Sequence, residues 1–179
     1  MDAPLFQRLV DTWYDPLYRF ALSLSHNGDE AMDLTQQTFA RWAEKGHGLR
    51  DRSKAKAWLF TVLYREFLKN IRHNRRESTS SDQSFFESIP AEGPTAAKAA
   101  EGQEVLKALQ KIDPVFCAPL SLFYLESHSY LEIAEILDVP IGTVMSRISR
   151  GKKQLRAYLT RQSNPRLGQV IPIKKSSGH

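Results

Sequence analysis

The sequence has little of what marks membrane, secreted or disulfide-bonded proteins. It contains one cysteine, Cys117, in 179 residues, so no internal disulfide can form. The longest candidate apolar run, Trp58–Leu63, has six residues, far below the ~18–20 of a membrane span. The first residues, Met1-Asp2-Ala3-Pro4, carry an acid and no basic leader, so we expect no secretory signal. These absences predict a cytoplasmic protein without direct membrane insertion.

Acidic residues are also missing from the end of the chain. The net charge is only +5, but residues 139–179 hold nine Lys and Arg and no acid. Residues 50–76 hold another nine Lys and Arg with two acids, and residues 77–103 between them hold five acids and one lysine. Two basic blocks around an acidic spacer indicate two anion-binding surfaces, although two solvated helical faces would give the same pattern.

Helical periodicity occupies the chain before residue 77, with neither strand alternation nor an internal repeat. Leu5, Leu9 and Trp13 recur at the spacing of one helix face. We expect Asp15 and Pro16 to start a second helix, because aspartate can cap a helix and proline fits its first position.

Two further helices are predicted in this part of the chain. One follows the turn Asn27-Gly28-Asp29 and ends at Gly46-His47-Gly48. The next is expected to be capped by Ser53 and runs into the basic cluster Arg72-His73-Asn74-Arg75-Arg76.

Composition divides the chain into two helical lobes. Residues 1–76 form the first lobe, and residues 77–103, rich in serine and turn formers, form an acidic flexible linker. Residues 104–162 form the second lobe, and residues 163–179 a basic tail that we expect to be disordered. The predicted fold class is therefore all-α, with two small helical domains joined by a linker.

A helix-turn-helix is predicted in the second lobe. Asp113-Pro114 is a capped helix start, and Pro119 is expected to kink the helix that follows or to delay its start. Ser129 and Glu132 then have the spacing of a capping box. Asp138 stands in the turn, where a left-handed residue is favoured, and the second helix of the motif follows.

The second helix of this motif has a basic outer face. A helix of this diameter fits the major groove, where its first turns reach base edges and its later cations reach phosphates. The residues expected on that face are Thr143, Ser146, Arg147, Arg150, Lys153 and Gln154. Plain packing can also produce a helix-turn-helix, but the lack of acids after Asp138 favours DNA binding, since solvated helices usually mix both signs.

No catalytic pattern is present. Neither lobe shows a phosphate loop, a carboxylate pair or a nucleophile beside a base, and Cys117 is predicted to be a small buried residue. The histidines have no metal-ligand spacing; they are His26, His47, His73, His128 and His179. We predict that the chain is not an enzyme and has no cofactor or metal.

Two stretches resemble a known family. Residues 122–155, and above all the run Pro140-Ile-Gly-Thr-Val-Met-Ser-Arg147, resemble region 4 of the extracytoplasmic-function (ECF) sigma factors of bacterial RNA polymerase, in the sigma-70 superfamily. The first lobe resembles region 2 of the same family, with an acidic, Gln-containing helix at residues 29–39 and Ala57-Trp58-Leu59 at the start of its promoter-melting helix. The resemblance covers residues 5–162.

This resemblance implies a transcription initiation factor that binds RNA polymerase core, recognises the −35 and −10 promoter elements and promotes DNA melting. For the −35 duplex it implies contacts by Thr143, Ser146, Arg147, Arg150, Lys152, Lys153 and Arg156, the last three of these to phosphates. For −10 recognition and melting it implies the helix that follows Trp58, where an aromatic residue beside cations suits the capture of unstacked bases. The candidate residues there are Tyr64, Arg65, Lys69, Arg72, Arg75 and Arg76. For core polymerase it implies the exposed positions Asp33, Gln36, Gln37, Ala40 and Glu44.

The resemblance also implies partners. They are the clamp and flap regions of the two largest core subunits, promoter DNA and an external anti-sigma factor. The alternative from the residues alone is a stand-alone helix-turn-helix regulator that binds duplex operator DNA, usually as a dimer. A second alternative is an adaptor without DNA binding. The basic, aromatic-rich helix of the first lobe favours the sigma factor over both.

The chain departs from the family in that helix. Where relatives often carry an asparagine, and an aspartate or asparagine four residues later, this chain has Arg65 and Lys69. Short amides recognise base edges, whereas long cations chiefly bind phosphates. We therefore expect a −10 preference that is weaker than the family's common one or different from it.

Overall fold

The described part of the chain contains helices and no strand, which confirms the all-α prediction. The computed structural model describes residues 3–49, 51–77 and 106–163. The helices in chain order are α1 (Ala3–Ser25), α2 (Gly28–Lys45), α3 (Ala55–Glu77), α4 (Pro114–Tyr124), α5 (Tyr130–Leu137) and α6 (Ile141–Ser163), and residues 106–109 form a further helical turn. Apart from residues 77 and 163, the predicted linker and tail lie outside the described residues. A bilayer-spanning segment is not found among the helices of the described ranges.

Helix α1 runs through Pro16 without interruption, so the prediction of a second helix starting at Asp15 was wrong. A proline inside a helix costs about 3 kcal/mol, because it removes one hydrogen bond and crowds the preceding turn. Leu17 and Phe20 just beyond it are fully buried, and each such side chain contributes roughly 1.5–3 kcal/mol. Burial of these side chains therefore outweighs the local cost of the proline.

The turn between α1 and α2 is shorter than expected. His26 adopts a left-handed conformation with φ 57°, and Asn27 caps α2 by accepting a hydrogen bond of 3.0 Å from the Glu30 amide. Gly28 and Asp29 consequently belong to the first turn of α2 and not to the loop.

The end of α2 lies where the glycines predicted it, but α3 is capped differently. A Cβ at Gly46 would lie 2.5 Å from the Trp42 ring, so only glycine fits under that ring. Asp51, and not Ser53, caps the turn before α3: its Oδ1 accepts hydrogen bonds from the Ser53 amide and hydroxyl, at 2.9 and 2.6 Å. Helix α3 begins at Ala55, two residues after Ser53.

The first lobe is a three-helix unit with an aromatic core. Phe20 of α1 and Phe60 of α3 are both fully buried, with ring centroids 5.4 Å apart. Trp58 stands edge-on to Trp42 of α2 at 5.1 Å. These contacts fix α3 against both other helices.

The second lobe is built around a close crossing of α4 and α6. Asp113 caps α4, its Oδ1 accepting a hydrogen bond of 3.0 Å from the Val115 amide. Pro119 lies inside the helix and does not delay its start. A Cβ on Gly151 of α6 would lie 2.6 Å from a Leu120 methyl group, so glycine permits this crossing.

The two lobes contact each other through two helix pairs. Helix α1 packs against α4, and α3 packs against α5. The turn between α4 and α5 lies against the first lobe, where the Glu126 carboxylate is 3.2 Å from the Arg19 guanidinium.

Candidate nucleic-acid and polymerase interfaces

The helix-turn-helix has the local geometry that its sequence predicted. The Ser129 amide donates a hydrogen bond of 2.7 Å to the Glu132 carboxylate, and the Ser129 hydroxyl accepts one of 3.3 Å from the Glu132 amide. The first of these bonds lowers the pKa of Glu132, because it favours the charged carboxylate. Asp138 is left-handed, with φ 54° and ψ 52°. Both the capping box and the turn prediction are confirmed.

Helix α6 is amphipathic, with a buried stripe and an acid-free outer face. Val144 and Ile148 are buried against α4 and α5. Five of the predicted DNA contacts are exposed: Ser146, Arg150, Lys152, Lys153 and Arg156. Gln154 is exposed as well, but its Oε1 accepts a hydrogen bond of 3.1 Å from the Asp113 amide. Gln154 thus ties α6 to the start of α4.

Thr143 and Arg147 do not lie on the fully exposed face that the sequence predicted. Both are half-buried. Arg147 is close enough to Tyr64 of α3 for its charge to oppose the effect of burial, which raises the pKa of Tyr64. For Arg147, the neighbouring Tyr64 belongs to the first lobe, and such a contact cannot be predicted from periodicity within α6.

The outer face includes two residues that the sequence analysis did not select. Met145 is 52% exposed, and Ser149 is exposed one turn later. Counting 100° per residue from the buried pair Val144 and Ile148 would have found them. An exposed thioether chain at the start of a groove-binding helix can contact a thymine methyl group, and a serine hydroxyl can bond to any base edge.

The cations of α3 form a separate exposed face. Arg65, Lys69 and Arg72 recur at i, i+4 and i+7 and are all exposed. The Lys69 ammonium lies 3.5 Å from the carboxylate of Glu66. Arg75 and Arg76 lie in the last turn of α3, with side chains outside the described residues.

The aromatic residues of α3 have different environments. Phe60 is fully buried and therefore cannot capture a base in this conformation. Tyr64 is half-buried at the border between the lobes. Trp58 and Phe67 are half-buried against the core, in line with the apolar stripe of this helix.

One face of α2 carries all the predicted polymerase contacts. The exposed residues are Asp33, Gln36, Gln37, Ala40 and Glu44. Opposite them, Thr35 and Thr38 are fully buried, and their hydroxyls donate 2.7 Å hydrogen bonds to carbonyls one turn earlier. Met32, 40% exposed, extends the outer face by one turn beyond Gln36 and was not selected from the sequence. The result is a continuous polar stripe with one apolar end.

The described residues hold no cluster of three His, Cys, Asp or Glu side chains that could bind a metal ion. Cys117 is buried as predicted, and its Sγ lies 3.2 Å from the Leu109 carbonyl oxygen. Burial raises its pKa to about 12, so the thiol stays protonated at neutral pH and is a poor nucleophile.

Comparison with known proteins agrees with this geometry. Family models match residues 9–77 as Sigma-70 region 2 and residues 102–155 as Sigma-70, region 4. The ECF RNA polymerase sigma factor EcfG of Rhodopseudomonas palustris is 34% identical over 143 residues, which are 80% of this chain and 78% of that protein. SigE of Mycolicibacterium smegmatis is 34% identical over 165 residues, 90% of this chain, so the chain spans only 64% of that relative's length.

Two solved structures are also similar. The sigma factor RpoE in complex with the anti-sigma factor NepR from Bartonella quintana has a TM-score of 0.76 and 34% identity, over 87% of this chain and 96% of that one. CnrH in complex with the cytosolic domain of CnrY has a TM-score of 0.59 at 22% identity, over 87% of each chain, and shows the fold alone.

The two lobes and their order define a sigma-70-type transcription initiation factor, a class of DNA-binding polymerase subunits and not of enzymes. Within that class, the chain belongs to the ECF RNA polymerase sigma factors, which are alternative sigma factors.

Proposed function

We propose that this chain binds RNA polymerase core through α2, recognises the −35 element as duplex through α6 and binds the melted −10 element through α3. The observation that carries the proposal is the outer face of α6. The first half of this face has exposed residues able to contact bases, and the second half has cations. The helix Ile141–Ser163 carries no acid, and the helix-turn-helix to which it belongs is correctly capped.

Base recognition at −35 is assigned to the first half of α6. Ser146 and Arg150 point away from the core, and an arginine can bond bidentately to guanine. Met145 and Ser149 lie beside them, whereas Thr143 and Arg147 flank this face. Phosphate binding is assigned to the second half of the helix, by Lys152, Lys153 and Arg156. Such contacts supply affinity and orientation without sequence information.

The −10 function is assigned to α3. Promoter opening requires the capture of unstacked bases, for which aromatic faces beside cations are suited. Tyr64 supplies the aromatic face and Arg65, Lys69 and Arg72 the cations, with Arg75 and Arg76 in the last turn. Arg65 and Lys69 replace the short polar residues common in the family. The proposal therefore includes a weaker or altered −10 preference.

Polymerase binding is assigned to the outer stripe of α2. Five exposed positions share that face, and in the family the matching helix packs on the clamp coiled coil of the largest core subunit. The second lobe would contact the flap region of the other large subunit. Because RNA polymerase works in the cytoplasm, the proposal places the chain there, acting without catalysis or cofactor of its own.

An anti-sigma factor is proposed as a further partner. The support is the RpoE chain bound to the anti-sigma factor NepR, which is similar across both lobes at 34% identity. The stand-alone regulator is not favoured, because residues 9–77 match Sigma-70 region 2 and not an effector domain.

In vitro transcription tests the proposal. Purified chain is added to core polymerase with a library of promoter fragments, and the transcripts are sequenced from their 5′ ends. We expect transcripts that share −35 and −10 elements and depend on the added chain. Arg150→Ala should reduce them, while Arg8→Ala, which removes an exposed arginine from α1, should not. Transcripts no more abundant than with core alone would contradict the proposal.

A further inference from the structure

The start of α6 exposes a large apolar side chain. Met145 is 52% exposed, whereas its neighbour Val144 and Ile148 in the next turn are buried. Covering exposed apolar surface is favourable, because that surface then leaves water. On a helix proposed to enter the major groove, the molecule that covers Met145 is the DNA.

Met145 begins a row of exposed side chains along one flank of α6. Counting about 100° per residue, Ser149, Lys152 and Arg156 follow it at i+4, i+7 and i+11, and all are exposed. By the same count Arg147, the neighbour of Tyr64, lies on the opposite flank. When Lys152 and Arg156 bind phosphates, as proposed, Met145 stands at the groove end of the row, where the first turns of the helix reach base edges.

The hydrogen-bonding capacity of these first turns is limited. The Ser146 hydroxyl donates a hydrogen bond of 3.0 Å to the Thr143 carbonyl oxygen, so towards DNA this hydroxyl acts as an acceptor. Met145 has no donor, and its sulfur is only a weak acceptor. The contact that Met145 can make with a base edge is therefore apolar.

The major groove offers a matching apolar group. The 5-methyl group of thymine is the apolar feature that distinguishes base pairs there, and the other distinguishing groups are hydrogen-bond donors and acceptors. A methionine side chain is unbranched and polarizable, so its end can adapt to a single methyl group. The chemistry of Met145 thus points to thymine among the four bases.

We propose that Met145 is a specificity-determining residue of α6 that selects a thymine in the −35 element by covering its 5-methyl group. The inference rests on the proposed function, because it requires α6 to lie in the major groove of promoter DNA. It adds an apolar contact to a surface whose other assigned residues are polar or charged. Substitution of Met145 therefore changes which base is preferred at one position of the element.

Replacement of thymine by uracil tests the contact, because it removes one methyl group from the DNA and leaves every hydrogen-bonding group in place. Holoenzyme assembled from the full chain and core polymerase first selects its −35 element from a promoter library. Each thymine of that element, on either strand, is then replaced singly by deoxyuridine, and competition with the unmodified promoter measures the relative affinity. One replacement should weaken binding by the unaltered holoenzyme about fourfold, as expected for one buried methyl group. The same replacement should have no effect on Met145→Ala.

Three further variants serve as matched comparisons. Met145→Leu keeps an apolar side chain and should retain the sensitivity to uracil, whereas Met145→Gln, of similar length but polar, should lose it. Leu159→Ala removes a side chain that is 46% exposed, roughly 21 Å further along the same flank at 1.5 Å per residue, and should retain the sensitivity. None of these substitutions changes the charge, so the slope of log affinity against log salt should stay the same in all of them.

Two results would overturn the proposal. One is a −35 element in which no uracil replacement weakens binding by the unaltered holoenzyme. The other is a loss that persists undiminished in Met145→Ala, which would assign the methyl contact to another side chain. Failure of the proposed function itself would appear separately, as an absence of promoter-dependent transcripts from the unaltered holoenzyme.

Discussion

The Nε of Arg41 on α2 donates a hydrogen bond of 3.1 Å to the carboxylate of Glu66 on α3, joining the proposed polymerase helix to the proposed −10 helix. Arg41 also donates to Glu44 over 3.2 Å, and the Glu66 carboxylate lies 3.5 Å from the Lys69 ammonium. A chain of alternating charges therefore connects the two surfaces.

Substitution of Glu66 should strengthen binding of single-stranded −10 DNA. Glu66→Gln removes the acid that competes with phosphate for Lys69. The Lys69 side chain is 68% exposed, and an ion pair at the surface corresponds to an affinity gain of up to about fivefold. Fluorescence anisotropy with a −10 oligonucleotide at two salt concentrations measures the gain, which should shrink at high salt. Asp11→Asn, which removes an exposed acid from α1, serves as control. Equal affinity of Glu66→Gln and the unaltered chain would refute the role of Lys69.

A methyl group on Gly151 should destabilise the second lobe. The Cβ of Gly151→Ala would lie 2.6 Å from a methyl group of Leu120 and 2.8 Å from the Cβ of Phe116. Forcing α4 and α6 apart should cost about 1–3 kcal/mol of unfolding free energy. Gly142→Ala is the matched control, because a Cβ there meets nothing within 4 Å, and alanine in a helix should be neutral or slightly stabilising. Urea denaturation distinguishes the two; equal stability would contradict the close crossing.

The buried His128 should make the folded chain less stable in mild acid. Burial and the nearby Lys56 lower its pKa to about 4 from 6.5, against the opposing effect of Glu132. The unfolded chain therefore binds the proton first, and stability falls as the pH drops from about 6.5 towards 4. Between about pH 7 and pH 5 this loss should be on the order of 2 kcal/mol.

Comparison with His128→Leu isolates this effect. Burial raises the pKa of Glu126, so this carboxylate binds a proton more readily in the folded chain than in the unfolded one. Its protonation therefore stabilises the folded chain in acid, an effect opposite in sign to that of His128. Both chains carry Glu126, and the difference between their denaturation curves at the two pH values reports His128. Parallel pH dependence in the two chains would contradict the lowered pKa.

The exposed arginine and lysine of α6 should behave differently on DNA. If Arg150 bonds to guanine, Arg150→Ala should cost ~1–3 kcal/mol on particular −35 sequences. Lys153→Ala should weaken all sequences alike and reduce the slope of log affinity against log salt by about one. Binding is measured for a set of −35 duplexes with single base changes. A uniform loss from Arg150→Ala would refute base recognition by this residue.

Local rules predicted the second lobe well. The capping box at Ser129, the left-handed Asp138 and the buried stripe of α6 each depend on residues within one or two turns of the chain. The positions implied by the family resemblance in α2 all lie on one exposed face of that helix. These features are governed by spacing, and spacing is visible in the sequence.

The errors come from contacts between distant residues. Pro16 lies inside α1 because burial of its neighbours against other helices outweighs its local preference. Arg147 is half-buried because the first lobe lies beside it, and this placement involves the pair of Arg19 and Glu126, which are 107 residues apart. Asp51 takes the capping position expected for Ser53, because its carboxylate is the stronger hydrogen-bond acceptor.

Permanganate footprinting of a complex with core polymerase tests the central claim most directly, since it shows thymines that have become unpaired. The account predicts reactive thymines in the −10 element only when both core and the chain are present. Arg150→Ala should lower occupancy and melting together. The pair of substitutions Arg65→Ala and Lys69→Ala should instead reduce melting more than duplex binding. Unchanged melting in that double variant would contradict the assignment of α3, and an unreactive −10 element with the unaltered chain would contradict the account as a whole.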